Sequence, residues 1–197
     1  RGSTMSGSTM SEVVSLNGFH IAQSFFSGFE HLRKDREHLN RINVFPVPDG
    51  DTGNNMVSTL LNVSQELRPA RSVHDTFRTM ADAAISGTRG NSGMIVAQFI
   101  YGIYREVGER ARLTTAEFSL ALRNAVQYAY RAIDNPAEGT IITVLRHWTD
   151  ELHQLSSTVH DFRELMMKSR DAAHRALEHT KEELAVLSKA GVVDAGA

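Results

Sequence analysis

Phe19-His20-Ile21-Ala22-Gln23-Ser24-Phe25-Phe26-Ser27-Gly28-Phe29-Glu30-His31-Leu32 decides the fold class, because Phe19, Ala22, Phe25, Phe26, Phe29 and Leu32 fall on one helical stripe. The stripe marks a long first helix, about Ser15 to Leu39. The same period recurs outward along the chain. Asn54 to Leu67 carries Met56, Leu60, Leu61 and Val63 and ends before Pro69. Val73, Phe77, Met80, Ala84 and Ile85 mark a third helix that stops at Ser86-Gly87. Ile95, Val96, Phe99, Ile100, Ile103 and Val107 mark a fourth, ending near Gly108. Phe118, Leu122, Ala125, Val126, Ala129 and Ile133 mark a fifth, closed by Asn135-Pro136. A sixth starts at about Gly139, with Ile141, Leu145, Trp148, Leu152 and Leu155 on its face. A seventh covers Asp161 to Glu178, and a short eighth, Glu182 to Ala190, ends at Gly191 as a glycine C-cap would. Ser72 and Thr114 or Thr115, the latter pair near Glu117, are candidate N-caps.

All four prolines, at 46, 48, 69 and 136, lie between these segments, where a missing N–H costs least. No segment shows strand alternation, internal repeat or long linker. The expectation is an all-α bundle or barrel of about eight helices. The methionine and aromatic stripes read as core. His31-Leu32-Arg33-Lys34-Asp35-Arg36-Glu37 reads as a solvated helix face.

With 197 residues, 41% apolar and 22% charged, the chain can bury one substantial core. A net charge of −2 gives no basic footprint for nucleic acid. The absence of cysteine excludes disulfides, thiolate catalysis and cysteine zinc sites, and suits a reducing cytoplasm. No apolar run approaches the ~20 residues that span a bilayer. Arg1 to Met10 repeats Gly-Ser-Thr-Met and reads as an expression-tag remnant, leaving 11–197 as the domain. Val192-Val193-Asp194-Ala195-Gly196-Ala197 is an odd natural terminus, which suggests a piece of a longer protein.

Chemistry concentrates in Pro46-Val47-Pro48-Asp49-Gly50-Asp51-Thr52-Gly53-Asn54-Asn55. Asp-Gly-Asp alone is a common turn. Here two prolines stiffen the approach, and a hydroxyl, a second glycine and two amides follow. Paired carboxylates suit Mg²⁺, which takes one or two of them plus substrate phosphates. Glycines let backbone N–H groups approach an anion. A second loop, Ser86-Gly87-Thr88-Arg89-Gly90-Asn91-Ser92-Gly93, opens an apolar helix, where free N–H groups favour phosphate; it also reads as a glycine-rich turn with a serine cap. A third, Asn135-Pro136-Ala137-Glu138-Gly139-Thr140, repeats the theme, or is a plain break at Pro136. Three such starts fit a nucleotide lying across one rim. Walker, dinucleotide-fold and protein-kinase signatures are absent. His174 and His179 stand five apart and miss a shared face, so the histidines read as surface residues.

Asn43-Val44-Phe45-Pro46-Val47-Pro48-Asp49-Gly50-Asp51-Thr52-Gly53, Arg89-Gly90-Asn91-Ser92-Gly93, Glu138-Gly139-Thr140-Ile141 and Ala190-Gly191-Val192-Val193-Asp194-Ala195-Gly196 occur in this order. Together they resemble the N-terminal domain of the bacterial fatty acid kinase A subunit, itself similar to the ATP-binding subunit of dihydroxyacetone kinase. The likeness covers Leu16 to Gly196. It implies an antiparallel eight-helix barrel with ATP at one rim and a pair of Mg²⁺ ions held by Asp49 and Asp51. Asn43 falls near a further metal-binding position of the dihydroxyacetone branch. Thr52, Gly53, Asn54 and Asn55 would meet the phosphates, with Asn54 standing where the fatty acid kinase branch usually has threonine. Asn91, Ser92 and Gly93 would line the pocket, Gly139 and Thr140 would add to it, and Asp194, Ala195 and Gly196 would close over the nucleotide. Arg89 is a candidate charge neutraliser.

The resemblance further implies phosphorylation of a fatty-acid carboxylate, presented by a separate fatty-acid-binding carrier protein, to an acyl phosphate for phospholipid synthesis. The other domains of a full-length subunit would be partners. A carboxyl with a pKa near ~4–5 is already ionised at neutral pH and needs no general base, whereas an alcohol does. No obvious histidine or aspartate base stands near the loops. Two rival readings remain: a dihydroxyacetone-type kinase subunit, and a nucleotide-sensing module without catalysis.

Overall fold

The computed structural model describes residues 11–197. Among them are eight helices and one small antiparallel strand pair: β1 (Ser15–Asn17), α1 (Gly18–Ile42), α2 (Thr52–Glu66), α3 (Val73–Ser86), α4 (Gly90–Val107), β2 (Arg112–Thr114), α5 (Thr115–Arg131), α6 (Ile141–Leu155), α7 (Phe162–Glu183) and α8 (Ala185–Ala190). The protein is all-α, as the apolar period requires. The tag-like residues 1–10 lie outside the described residues.

Each helix packs on the next along the chain, and α2 also meets α4. Short connections turn neighbours antiparallel. The core runs through the bundle from Ile21 and Ala22 of α1 to Leu165 of α7, by way of Val63, Val73, Phe77, Ala97, Leu122, Ala125 and Leu152. Phe118 and Phe162 meet edge-on inside it, at 5.5 Å between ring centroids.

Local capping sets four of the eight helix starts. Asn17 Oδ1 accepts the His20 N–H at 3.1 Å, and His20 Nδ1 accepts the Asn17 N–H at 3.0 Å, so α1 begins at Gly18 rather than Ser15. Ser72 caps α3, and Thr114 with Glu117 forms a capping box on α5. Asp161 caps α7. Gly191 closes α8 at φ 67.

Several boundaries differ from the sequence pattern. α1 runs to Ile42 and α7 to Glu183, and their last turns carry Asn40, which accepts from Asn54, and Thr180, which accepts from Asp194. α2 starts at Thr52, two residues ahead of the apolar period. α5 ends at Arg131, before the Asn135-Pro136 break, and α8 starts only at Ala185. The strands are the one element type that the sequence does not announce. Ser15, Leu16 and Asn17 pair with Thr114, Leu113 and Arg112. Three residues are too few for alternation to register, and the pairing joins chain segments far apart.

Leu152 of α6 is fully buried in the core. Leu152→Ala is expected to lower the unfolding free energy by about 2–5 kcal/mol, the usual cost of a leucine-sized cavity. Urea denaturation followed by circular dichroism checks this.

Candidate functional site

The segment joining α1 to α2 turns on one buried side chain. Asn43 is only 5% exposed. Its Oδ1 accepts the N–H groups of Asp51 at 3.1 Å and Thr52 at 3.3 Å. Its Nδ2 donates to the carbonyls of Phe45 at 3.2 Å and Val47 at 3.3 Å. Gly50 adopts φ 67, a left-handed turn that suits glycine. Asp49 thus stands exposed at the tip, and Asp51 is the residue before α2. Asp51 makes no side-chain cap, and no ion pair among the described residues includes Asp49 or Asp51.

A second buried residue brings α4 to α2. Thr59, fully buried on α2, donates its hydroxyl to Asn55 O at 2.8 Å and accepts the Arg89 N–H at 3.1 Å. A Cβ at Gly93 would stand 2.3 Å from Thr59 Oγ1, so only glycine admits this approach. α4 has no side-chain cap. The N–H groups of Gly90, Asn91 and Ser92 donate to nothing among the described residues.

The start of α6 is built from Glu138. Its Oε2 accepts from the Thr143 hydroxyl at 2.8 Å and from Arg146 Nη2 at 2.6 Å, while Gly139 N–H donates to Thr143 Oγ1 at 2.9 Å. Burial pushes the Glu138 carboxyl up, but the Thr143 hydroxyl and the Arg146 guanidinium outweigh it and hold it below its ordinary value. Thr140 precedes α6 without capping it. Instead Asp194 Oδ2, from the C-terminal segment, accepts the Ile141 N–H at 3.1 Å, and Asp194 N–H donates to Thr180 Oγ1 at 3.1 Å. Burial pushes the Asp194 carboxyl up to about 6 despite the N–H groups of Ile141, Gly196 and Ala197.

These three starts open on one cavity of about 480 Å³. Of the residues expected from sequence, Asp49, Asp51, Thr52, Asn55, Asn91, Ser92, Thr140, Asp194 and Gly196 border it. Asn43 borders it too. Both lone pairs of its amide oxygen are committed to N–H donors, so it is not free to ligate a metal as expected. Gly53, Asn54, Arg89, Gly93 and Gly139 are not on the wall. A Cβ at Gly53 would lie 2.3 Å from Arg36 O, so this glycine seats α2 on α1. Asn54 is exposed and gives its N–H to Asn40 Oδ1 at 3.2 Å. Arg89 is exposed and serves through its backbone. Gly139 turns the chain at φ 81 against Glu183.

The structure adds Phe45, Val47, Ile95, Ile133 and Asp134 to the wall. Phe45 and Val47 lie inside the acidic motif, and their apolar character was the available signal. Asp134 is an acidic wall residue that the sequence motifs did not single out, whereas Asp194 was expected at the site. Among the described residues no group of three His, Cys, Asp or Glu could hold a metal. Two carboxylates beside three helix starts nevertheless suit Mg²⁺ whose remaining ligands are phosphate and water oxygens.

An all-helical scaffold with an acidic turn and helix N-termini around one cavity defines a candidate phosphate-handling domain. The DAK2 domain family matches residues 46–197, and the chain belongs to this dihydroxyacetone kinase-like family. It is 32% identical over 186 residues to Protein YloV of Bacillus subtilis, covering 93% of this chain and 34% of that protein. Uncharacterized proteins of Staphylococcus epidermidis and Staphylococcus aureus are 31% identical over the same coverage. The chain therefore spans about a third of the length of these relatives. Among the described residues, no helix is long and apolar enough to cross a membrane.

The Asp194 shift has a definite sign. The folded carboxyl titrates at about 6 against an ordinary 3.8, so the folded state binds the extra proton and this group's contribution declines as pH rises between those values. Asp194→Asn keeps an acceptor for Ile141 N–H and removes the titration. Relative to the parent, the variant should gain on the order of 1–3 kcal/mol between pH 4 and pH 7. Urea denaturation at several pH values measures the difference, and a flat difference would contradict the shift.

Proposed function

We propose that the domain binds Mg·ATP across this cavity and transfers the terminal phosphoryl group to the carboxylate of a fatty acid presented by a separate carrier protein. The observation that carries the reading is the coincidence of two unpaired carboxylates with three helix starts that make no side-chain cap of their own. The free N–H groups of Gly90, Asn91 and Ser92 suit phosphate oxygens, and the hydroxyls of Ser92 and Thr140 add donors nearby. Asp49 and Asp51 would hold Mg²⁺. When bound, it would supply charge neutralisation on the phosphates. Phe45, Val47, Ile95 and Ile133 give the cavity an apolar side suited to a base.

The protein's part is then positioning and charge stabilisation, as is usual in phosphoryl transfer. The family, kinase-like as a whole, supports the reaction class. The carboxylate acceptor rests on the motif resemblance. Asp134 could serve an alcohol acceptor as a base, so both acceptors belong in the test.

Asp49→Ala and Asp51→Ala, made in the full-length protein, should each lower acyl phosphate formation by more than about 10²-fold, since metal-borne charge stabilisation is worth several kcal/mol. Circular dichroism should remain helical. The assay supplies ATP, Mg²⁺ and either fatty-acid-loaded carrier or dihydroxyacetone. Near-normal turnover in both variants refutes the metal assignment, and turnover of dihydroxyacetone alone refutes the acceptor.

A further inference from the structure

We propose that Asn43 is a positioning residue that sets the acidic turn and, together with Asn40, frees the Asp51 carboxylate for a ligand. The proposal rests on the reading that Asp49 and Asp51 hold the metal.

An asparagine amide offers two acceptor lone pairs and two N–H donors. Asn43 uses all four. The donors reach Phe45 and Val47, ahead of Asp49, and the acceptor reaches Asp51 and Thr52, behind it. One buried side chain therefore ties both flanks of the turn to the end of α1. Displacement of either flank would break bonds on that side, so the directions of both carboxylates depend on this amide.

The second part concerns helix capping. An aspartate just before a helix ordinarily folds its carboxylate back onto N–H groups of the first turn. Asp51 does not. Two of the N–H groups at that end are taken from outside the helix: Thr52 N–H by Asn43 and Asn54 N–H by Asn40, at 3.3 and 3.2 Å. The Asp51 N–H also goes to Asn43. Asn54 N–H, the third of the helix, is one that an aspartate in the place of Asp51 would ordinarily take. Asn40 takes it here while Asn43 holds the backbone on either side of the Asp51 side chain, and that carboxylate stays on the cavity wall.

Asn43→Asp separates positioning from ligation. It keeps the acceptor oxygens, loses both donors, and sets a carboxylate against the carbonyls of Phe45 and Val47. A metal ligand would bind Mg²⁺ more tightly as aspartate. A positioning residue would bind it more weakly, by about 10–100-fold, the usual loss when an outer hydrogen-bond partner of a metal site is changed. Calorimetry of Mg·ATP binding reads the sign. Asn43→Leu removes all four bonds. In the metal-free protein, amide hydrogen exchange by NMR should show Asp51 and Thr52 protected in the parent and in Asn43→Asp, and unprotected in Asn43→Leu. Equal or tighter Mg²⁺ binding by Asn43→Asp overturns the proposal, as do unchanged amides in Asn43→Leu. Should Asn43→Leu fail to fold, the Asn43→Asp comparison still decides. If the parent itself takes up no Mg·ATP, the proposed function fails, and the exchange experiment alone decides whether Asn43 orders the turn.

Discussion

An α-helix begins with N–H groups that have no partner inside it, and the aligned peptide dipoles make that end positive. In this protein, α2, α4 and α6 bring such ends to a single cavity. Like ends brought together leave a local demand for negative charge and for acceptors. Much of the surrounding structure answers that demand from within or leaves it open to a ligand.

The contrast with the other long helices is physical. α1, α3, α5 and α7 cap themselves with Asn17, Ser72, Thr114 and Asp161. The three cavity helices do not. α2 borrows acceptors from Asn40 and Asn43, and α6 borrows the Asp194 carboxylate. Gly53 of α2 and Ile142 and Thr143 of α6 keep N–H groups without an acceptor among the described residues, but only in α4, of the three, do all of the first three N–H groups lack one. The positive end that is least answered internally among these three is therefore that of α4, which borders the same cavity as the unpaired Asp49 and Asp51.

Holding these ends together relies on few contacts, each placed where chains cross closely. The Thr59 hydroxyl bridges α2 and the start of α4, and Gly93 removes the Cβ that would block it. Gly53 does the same for α2 against α1. Glu138, Thr143 and Arg146 shape the turn into α6. Each neutral hydrogen bond contributes only about 1 kcal/mol net, so their value is geometric more than energetic.

Sequence alone determined the helical class, the order of the helices, and the loops that carry polar chemistry. Apolar residues every three to four positions, prolines and caps are local signals, and a helix is a local structure. Asp49, Asp51, Asn91, Ser92 and Thr140 were legible for the same reason: they sit in glycine-bearing turns at helix starts. Tertiary structure alone decided that these turns share a cavity, that Gly53 and Gly93 serve helix approach, and that Asn43 spends its amide on backbone. It also decided the β1–β2 pairing and the reach of Asp194 back to Ile141. These depend on contacts between residues far apart in the chain, and a period read along one segment holds no information about which distant group its free N–H will meet.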